Sequence, residues 1–375
     1  MAPQIVAASS ASDNALHGNS VAVKGGITAM CSKDPRAHKS AVDDYFSYWE
    51  DSGAGANSEQ ARLDRKTSYA QVTNRYYDLV TDMVEHLFGK SFHFCRIRRS
   101  QPISLATVEH ERYLASKLHL IEGQTVLDIG SGVGGPAREI ARYAKVKVVG
   151  LNNNAYQILR AERYTAEESL TDQVSFTKGD FMSMPLPPAS FDAAYSIEGT
   201  SYAPDLELVY KEIFKVLKPG GLFAVYEMVM TDEYNEDDPG HRQIRYDIEQ
   251  GFGMANLATS SEASRALAAA GFELIESGDV GNLEDEIPWY YTVARWSSLA
   301  HLNSIRDLPR ILHMSFLGSK LGLSLAWAAE KLRILPPGSY KFTLSLASVH
   351  AALASGGERG LFTPMFFMVG KKPVL

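Results

Sequence analysis

The sequence predicts an α/β fold, a doubly wound parallel sheet carrying helical additions at both ends, on three observations. Between residues 124 and 230, short apolar runs rich in β-branched residues alternate with helical stretches, the pattern of consecutive β-α-β units. The first run breaks at Asp128 into a glycine-rich turn (Gly130, Gly132, Gly134, Gly135), and a helix follows with Pro136 in its first turn. Such a turn brings unpaired N–H groups and the positive end of a helix dipole to one point, where a nucleotide can rest. Finally, the clearest helix opens after Asp205, carries Leu206, Val209, Ile213, Phe214 and Leu217 on one stripe, and meets Pro219-Gly220-Gly221, a helix-stop signal.

In order, Thr125–Ile129 reads as a first strand and 137–143 as its helix. Residues 146–151 form a second strand, 155–169 a helix, Val174–Lys178 a third strand and 191–196 a fourth. After the helix ending at Pro219 comes a fifth strand over 222–226. Acidic residues 232–238 read as a loop, 260–270 as a helix, and Gly271-Phe272-Glu273 as the start of a return strand. Upstream, 41–78 reads as charged helix. Downstream, 311–335 is an apolar stretch interrupted by Lys320, Glu330, Lys331 and Arg333. It reads as an amphipathic helical pair, packed on the core or resting on a membrane surface. No run of about twenty apolar residues is present to span a bilayer. The expected organisation is a disordered tail over 1–40, a helical cap over 41–120, a nucleotide-binding domain over 121–285 and a C-terminal region over 286–375. The tail is rich in Ala, Ser, Gly and Asn and lacks the pattern of a signal peptide.

Composition narrows the function. A net charge of −7 over 375 residues opposes a nucleic-acid partner, because phosphate binding needs a basic surface. Two isolated cysteines, Cys31 and Cys95, argue against a disulfide framework and for a reducing compartment. No His/Cys/carboxylate cluster has ligand spacing, so no metal is expected.

The turn reads Asp-x-Gly-x-Gly-x-Gly-Gly rather than the dehydrogenase Gly-x-Gly-x-x-Gly, and the second strand ends in Leu151-Asn152-Asn153-Asn154 instead of an acidic residue. Asparagine can still bond ribose hydroxyls. The third strand closes with Lys178-Gly179-Asp180-Phe181, where a carboxylate can accept from an exocyclic adenine amine. Together these words resemble the class I methyltransferase pattern for S-adenosylmethionine. On that likeness Gly130, Ser131, Gly132 and Gly134 approach the donor and Asp128 orients the turn. Asn152 and Gln157 meet the ribose, and Gly179, Asp180 and Phe181 surround the adenine.

Further words extend the likeness over roughly residues 60–370. They are Ser91-Phe92-His93-Phe94, Gly134–Arg142, Gly150–Asn154, Lys178–Met182, Val225-Tyr226-Glu227, Glu286–Tyr291 and Leu361–Met365. On these the chain resembles the sterol 24-C-methyltransferases. The resemblance implies methyl transfer from S-adenosylmethionine to the side-chain double bond of a sterol such as zymosterol. An alkene is a weak nucleophile, so it must be aligned with the donor methyl in a dry site. The resulting carbocation suits aromatic faces, and a base must finally remove a proton. Phe92, Phe94, Tyr195, Tyr202 and Tyr226 are the expected lining residues. His93, Glu198 and Glu227 are the candidate bases or electrostatic stabilisers.

The chain departs from the family pattern on the acceptor side. Val84-Glu85-His86-Leu87-Phe88-Gly89 stands where the family has Tyr-Glu-Tyr-Gly-Trp-Gly. Tyr202 replaces a histidine that could accept a proton, and Met228 replaces a tryptophan. On the donor side only Ser131 differs, replacing a cysteine. Loss of a polar, aromatic rim alters acceptor recognition more than donor binding. Two acceptors therefore stay open: a sterol, or another triterpenoid-like lipid or natural product methylated on carbon or oxygen. The resemblance also implies a peripheral location on the cytoplasmic side of the endoplasmic reticulum or on lipid droplets, and leaves homo-oligomerisation open.

Overall fold

The computed structural model describes residues 15–17, 26–49, 58–99, 101–281, 287–292 and 316–374. The N-terminal helices are α1 (Ile27–Cys31), α2 (Pro35–Ser47), α3 (Glu59–Thr67), α4 (Tyr69–Phe88) and α5 (Ile103–Lys117). The sheet region runs β1 (Thr125–Ile129), α6 (Gly135–Ala144), β2 (Lys147–Asn152), α7 (Ala155–Glu167), β3 (Val174–Lys178), β4 (Phe191–Ile197), α8 (Leu206–Val216) and β5 (Leu217–Met230). Beyond it lie α9 (Pro239–Phe252), α10 (Ser260–Ala269), β6 (Glu273–Asp279), α11 (Phe316–Lys331), α12 (Ser339–Glu358) and β7 (Phe362–Lys371).

Among the described residues, seven strands form one sheet in the order β3-β2-β1-β4-β5-β7-β6. The first five are parallel, and β7 is antiparallel to both its neighbours. Parallel strands are covered on both faces, so their sequences read as continuous apolar runs; four of the five residues of β1 are buried. Leu127, Ile129 and Val225 pack on one face against Val209 and Ile213 of α8 and Leu267 of α10. Val126, Val148 and Ala224 pack on the other against Leu114 of α5 and Ile140 of α6. Strand order reverses between β1 and β4, and ligands of such sheets lie at the carboxyl ends beside that reversal.

The structure corrects four expectations. The tail assigned to 1–40 is folded from residue 26 onward: α1 and α2 form there, with Ala29 and His38 buried. Leu16 and His17 are buried as well, while residues 1–14 and 18–25 lie outside the described set. Asp205 does cap α8, accepting from Leu208 N, but the helix ends at Val216, ahead of the Pro-Gly-Gly signal. Leu217 already pairs with Phe191 and Leu222 with Ala193. Lys218–Gly221 therefore form a bulge inside β5, since proline and glycine sit where a ladder is interrupted.

The domain boundary at 285 cuts the sheet, because β7 from the C-terminal region fills the place between β5 and β6. Pro364 is tolerated in that interior strand because the pairing with β5 slips between Glu227 and Val229 beside it. Lastly, the helical pair expected in 311–335 consists of α11 and a second helix beginning only at Ser339; residues 311–315 lie outside the described set. Helix α12 packs against α9 and α11, and its Phe342 joins the aromatic cluster of α2 and α4 around Tyr45 and Tyr76. The cap and the C-terminal helices thus close over the carboxyl ends of the strands.

Candidate active site

A cavity of about 720 Å³ opens at the reversal between β1 and β4. One lobe is polar, lined by Gly130, Ser131, Gly132, Asn152, Gln157, Asp180 and Phe181. The loop after β1 passes so close to the loop after β4 that a Cβ on Gly130 would lie 2.7 Å from Gly199 Cα, and Gly130 has φ +77°. Glycine at both positions permits that crossing. A Cβ on Gly132 would meet nothing nearer than Phe92 Cζ at 3.8 Å, which leaves space for a ligand.

The second strand ends in a small amide cluster. Asn152 Nδ2 donates to the Gly132 carbonyl at 3.1 Å and to Gln157 Oε1 at 2.9 Å. Asn154 caps α7, its Oδ1 accepting from Gln157 N at 2.9 Å. At the end of β3, Asp180 Oδ1 accepts from Met182 N at 2.8 Å and from the Tyr69 hydroxyl of α4. The Tyr69 ring lies 5.9 Å from that of Phe181. Ser131 Oγ is buried without a hydrogen-bond partner among the described residues, unusual for a polar atom unless a ligand serves it. Burial pushes the Asp128 carboxyl up to about 7.

The other lobe is apolar and aromatic. Phe92, Phe94, Tyr77, Met228, Phe252 and Trp289 line it, with Leu346, Val349 and Leu353 of α12 and Leu323 and Ala326 of α11. Glu198 stands between the lobes. It has φ +60°, a left-handed conformation costly for a side chain with a Cβ and typical of functional turns. Its amide donates to the Tyr226 carbonyl at 2.9 Å, and its Oε1 accepts from Phe94 N at 2.7 Å. Burial pushes its carboxyl up to about 8, against the pull of His93 and the Phe94 N–H.

His93 Nδ1 faces the Phe94 carbonyl at 2.7 Å and Nε2 the Glu111 carboxylate at 3.2 Å. Both partners accept, so both ring nitrogens donate when Glu111 is ionised, and the ring is then an imidazolium. Burial alone would lower its pKa, but Glu111, joined by the Glu198 charge, holds it above the usual value. With both nitrogens engaged, the His93 ring is pinned beside Glu198 rather than free to act as a base.

Of the expected site residues, Phe92, His93, Phe94, Glu198 and Tyr202 line the cavity with the polar-lobe group. Six do not. Glu227 is fully buried and accepts from Thr200 Oγ1, Ser201 Oγ and Tyr210 Oη at 2.5, 2.5 and 2.7 Å; with those three donors it ties the loop after β4 to β5 instead of acting as a base. Tyr195 and Tyr226 belong to the core of the sheet, Tyr226 stacked on His110 with centroids 3.9 Å apart. Odd and even residues of a strand face opposite sides, and these two point into the wrong layer. Asp128 lies beneath the loop, Gly134 packs against Phe176, and Gly179 packs against Pro185 and Leu151. They shape the lobe without lining it.

The sequence reading missed Tyr69, Tyr77 and Phe252, and singled out Met228 only as a departure from the family's tryptophan. Tyr77 Oη donates to Tyr202 Oη at 2.8 Å. A signal existed: Tyr69, Thr73, Tyr76, Tyr77, Val80 and Val84 all line the cavity and recur at helical spacing along α4.

The polar lobe suits S-adenosylmethionine: a glycine loop open at Gly132, an unpartnered Ser131 hydroxyl, two amides and a carboxylate. Residues 127–225 match the methyltransferase domain family, and residues 310–374 match the sterol methyltransferase C-terminal family. The chain is 48% identical to the sterol 24-C-methyltransferase erg6 of Aspergillus fumigatus, covering 96% of this chain and 95% of that one. It is 43% identical to the sterol 24-C-methyltransferase of Saccharomyces cerevisiae, over 96% and 92% of the two chains. Among solved structures, geranyl diphosphate C-methyltransferase from Streptomyces coelicolor superposes with a TM-score of 0.57 at 16% identity, covering 81% of this chain and 97% of that one. The [4+2]-cyclase SpnF gives 0.57 at 21%, covering 82% and 97%. These two likenesses concern the fold alone. With near-full coverage at such identity, the chain belongs to the sterol 24-C-methyltransferase family, whose methyl donor is S-adenosylmethionine.

Proposed function

We propose that this chain methylates the side-chain alkene of a sterol at C-24, with S-adenosylmethionine as donor. The observation that carries this reading is that a polar lobe and an aromatic lobe of one cavity meet at Glu198. When bound, the donor supplies an electrophilic methyl on its sulfonium. Gly130, Ser131 and Gly132 hold its amino-acid portion and Asn152 and Gln157 its ribose, while Asp180 accepts from the adenine amine. Phe92, Phe94, Tyr77 and Trp289 exclude water from the alkene and present ring faces to the cation left on the sterol side chain. The carboxylate of Glu198 takes the proton whose loss restores an alkene, and His93 beside it favours that ionised form against the burial that pushes the Glu198 carboxyl up to about 8.

The test is purified protein, labelled S-adenosylmethionine and a panel of zymosterol, other triterpene alkenes and phenolic alcohols. Carbon-methylated zymosterol is expected; label on oxygen alone would overturn the reading. Replacement of the family's histidine and tryptophan by Tyr202 and Met228 in the aromatic lobe favours a second reading, a shifted lipid acceptor, which the same panel detects.

We also infer contact with a bilayer surface. Among the described residues no helix is long and apolar enough to cross a membrane. Yet Leu321, Leu325, Trp327, Leu332 and Ile334 are exposed beside Lys331 and Arg333, and Leu325 and Ile334 also reach the cavity. Exposed apolar residues with flanking cations suit an anionic lipid surface, such as the cytoplasmic face of the endoplasmic reticulum or a lipid droplet. Flotation with anionic vesicles is expected for the full chain and lost in Leu332→Asp/Ile334→Asp; equal flotation of that variant sinks the inference.

A further inference from the structure

Helix α4 presents a second stripe, distinct from the aromatic one. Asp78, Thr81, Asp82 and Glu85 are spaced i, i+3, i+4 and i+7, which places them on one face. Each meets a residue at the start of α7. Asn154 Nδ2 donates to Asp78 Oδ1 at 2.8 Å, Tyr156 Oη donates to Asp82 Oδ1 at 2.5 Å, and Gln157 Nε2 donates to Thr81 Oγ1 at 3.2 Å. Glu85 pairs with Arg160.

The stripe is anchored from behind by the N-terminal segment. Lys33 Nζ lies 3.2 Å from Asp82 Oδ2 and donates to the Asp78 carbonyl at 2.7 Å. His17 Nε2 lies 3.3 Å from Asp78 Oδ1, and its ring stacks on Tyr156 with centroids 3.8 Å apart. Asp78, Asp82 and Lys33 are all buried. An interface that only packed two helices would be served as well by apolar residues, at lower desolvation cost. Polar pairs fix direction instead.

The direction they fix is that of Gln157. The Thr81 hydroxyl gives its one hydrogen to the Tyr77 carbonyl at 2.6 Å, so toward Gln157 it can only accept. Gln157 Oε1 is held by Asn152. Both ends of the amide are thus set, leaving one N–H of Gln157 free to meet a ligand. We propose that Thr81, backed by Asp78 and Asp82, is a positioning residue for the methyl donor: the cap helix orients the amide that meets the ribose. This rests on the reading of Gln157 as a ribose contact.

A double-mutant cycle on the full chain tests it, with calorimetric binding of S-adenosylhomocysteine and steady-state kinetics as readouts. Thr81→Val is expected to raise the product Kd and donor KM by about fivefold, the scale of one neutral hydrogen bond, with kcat at saturating donor and acceptor KM unchanged. Thr81→Ser, which keeps the hydroxyl, is expected to restore both. Adding Thr81→Val to Gln157→Ala is expected to cost nothing further, because the residue acts through that amide. Additive losses, or a lowered Tm with unchanged Kd in Thr81→Val, overturn the proposal. Unchanged Kd in Gln157→Ala alone overturns the ribose assignment and the positioning role with it.

Discussion

The two lobes of the cavity are built in different ways. The donor lobe comes from three short segments, 130–132, 152–157 and 180–181, each at the carboxyl end of an adjacent parallel strand. The acceptor lobe gathers residues from α4, the 91–94 segment, β5, α9, Trp289, α11 and α12, which are far apart in the chain. Strand ends next to the sheet's reversal are brought together by the topology itself, so a few fixed residue types suffice there. The acceptor lobe has no such frame. Its shape depends on how cap and C-terminal helices pack, and substitutions there can redirect the acceptor while the donor site stays intact.

That contrast can be broken by experiment. The largest effect is expected at the junction: Glu198→Gln should lower kcat by about 10²- to 10⁴-fold and leave S-adenosylhomocysteine Kd nearly unchanged. A full-turnover variant would remove Glu198 from the chemistry. The pH profile sharpens the point. With burial holding the Glu198 carboxyl at about 8, the proton-accepting form grows as pH rises, so wild-type kcat/KM for the acceptor should climb toward a plateau above that value. Glu198→Gln should lack that limb; a profile unchanged by the substitution assigns the titration elsewhere.

Next in size is Asp180→Ala, which removes a charged acceptor and strands the Tyr69 hydroxyl. The donor KM should rise about 10- to 100-fold while acceptor KM holds; an acceptor effect of equal size would mean that the lobes are not separable. Smallest is Tyr202→His, which breaks the bond to Tyr77. Preference among sterol acceptors should shift by about three- to tenfold without a change in donor Kd. A donor-side change instead would break the comparison.

Legibility followed the same division. Asn152, Gln157 and Asp180 were readable because each closes or follows a strand whose apolar run fixes its place. Glu198 was readable from its position after β4, although its left-handed backbone was not. Tyr195, Tyr226 and Glu227 were misassigned because an apolar run buried on both faces gives no hint which residues point to the ligand. Strand β7 was missed for a related reason: Phe362–Lys371 is apolar nearly throughout and contains Pro364, so periodicity could not separate strand from helix.

The sequence by itself determined the doubly wound sheet, the donor and the family. Those rest on residues adjacent in the chain, where strand alternation, glycine spacing and helix caps act locally. Only the tertiary structure decided which carboxylate lines the cavity, that His93 is pinned between Glu111 and a carbonyl, and that α4 meets the cavity with one stripe and α7 with another. Those outcomes depend on contacts between segments far apart in the chain, such as Tyr76 of α4 with Phe342 of α12. The free energy of such contacts comes from packing and desolvation, which local pattern does not encode.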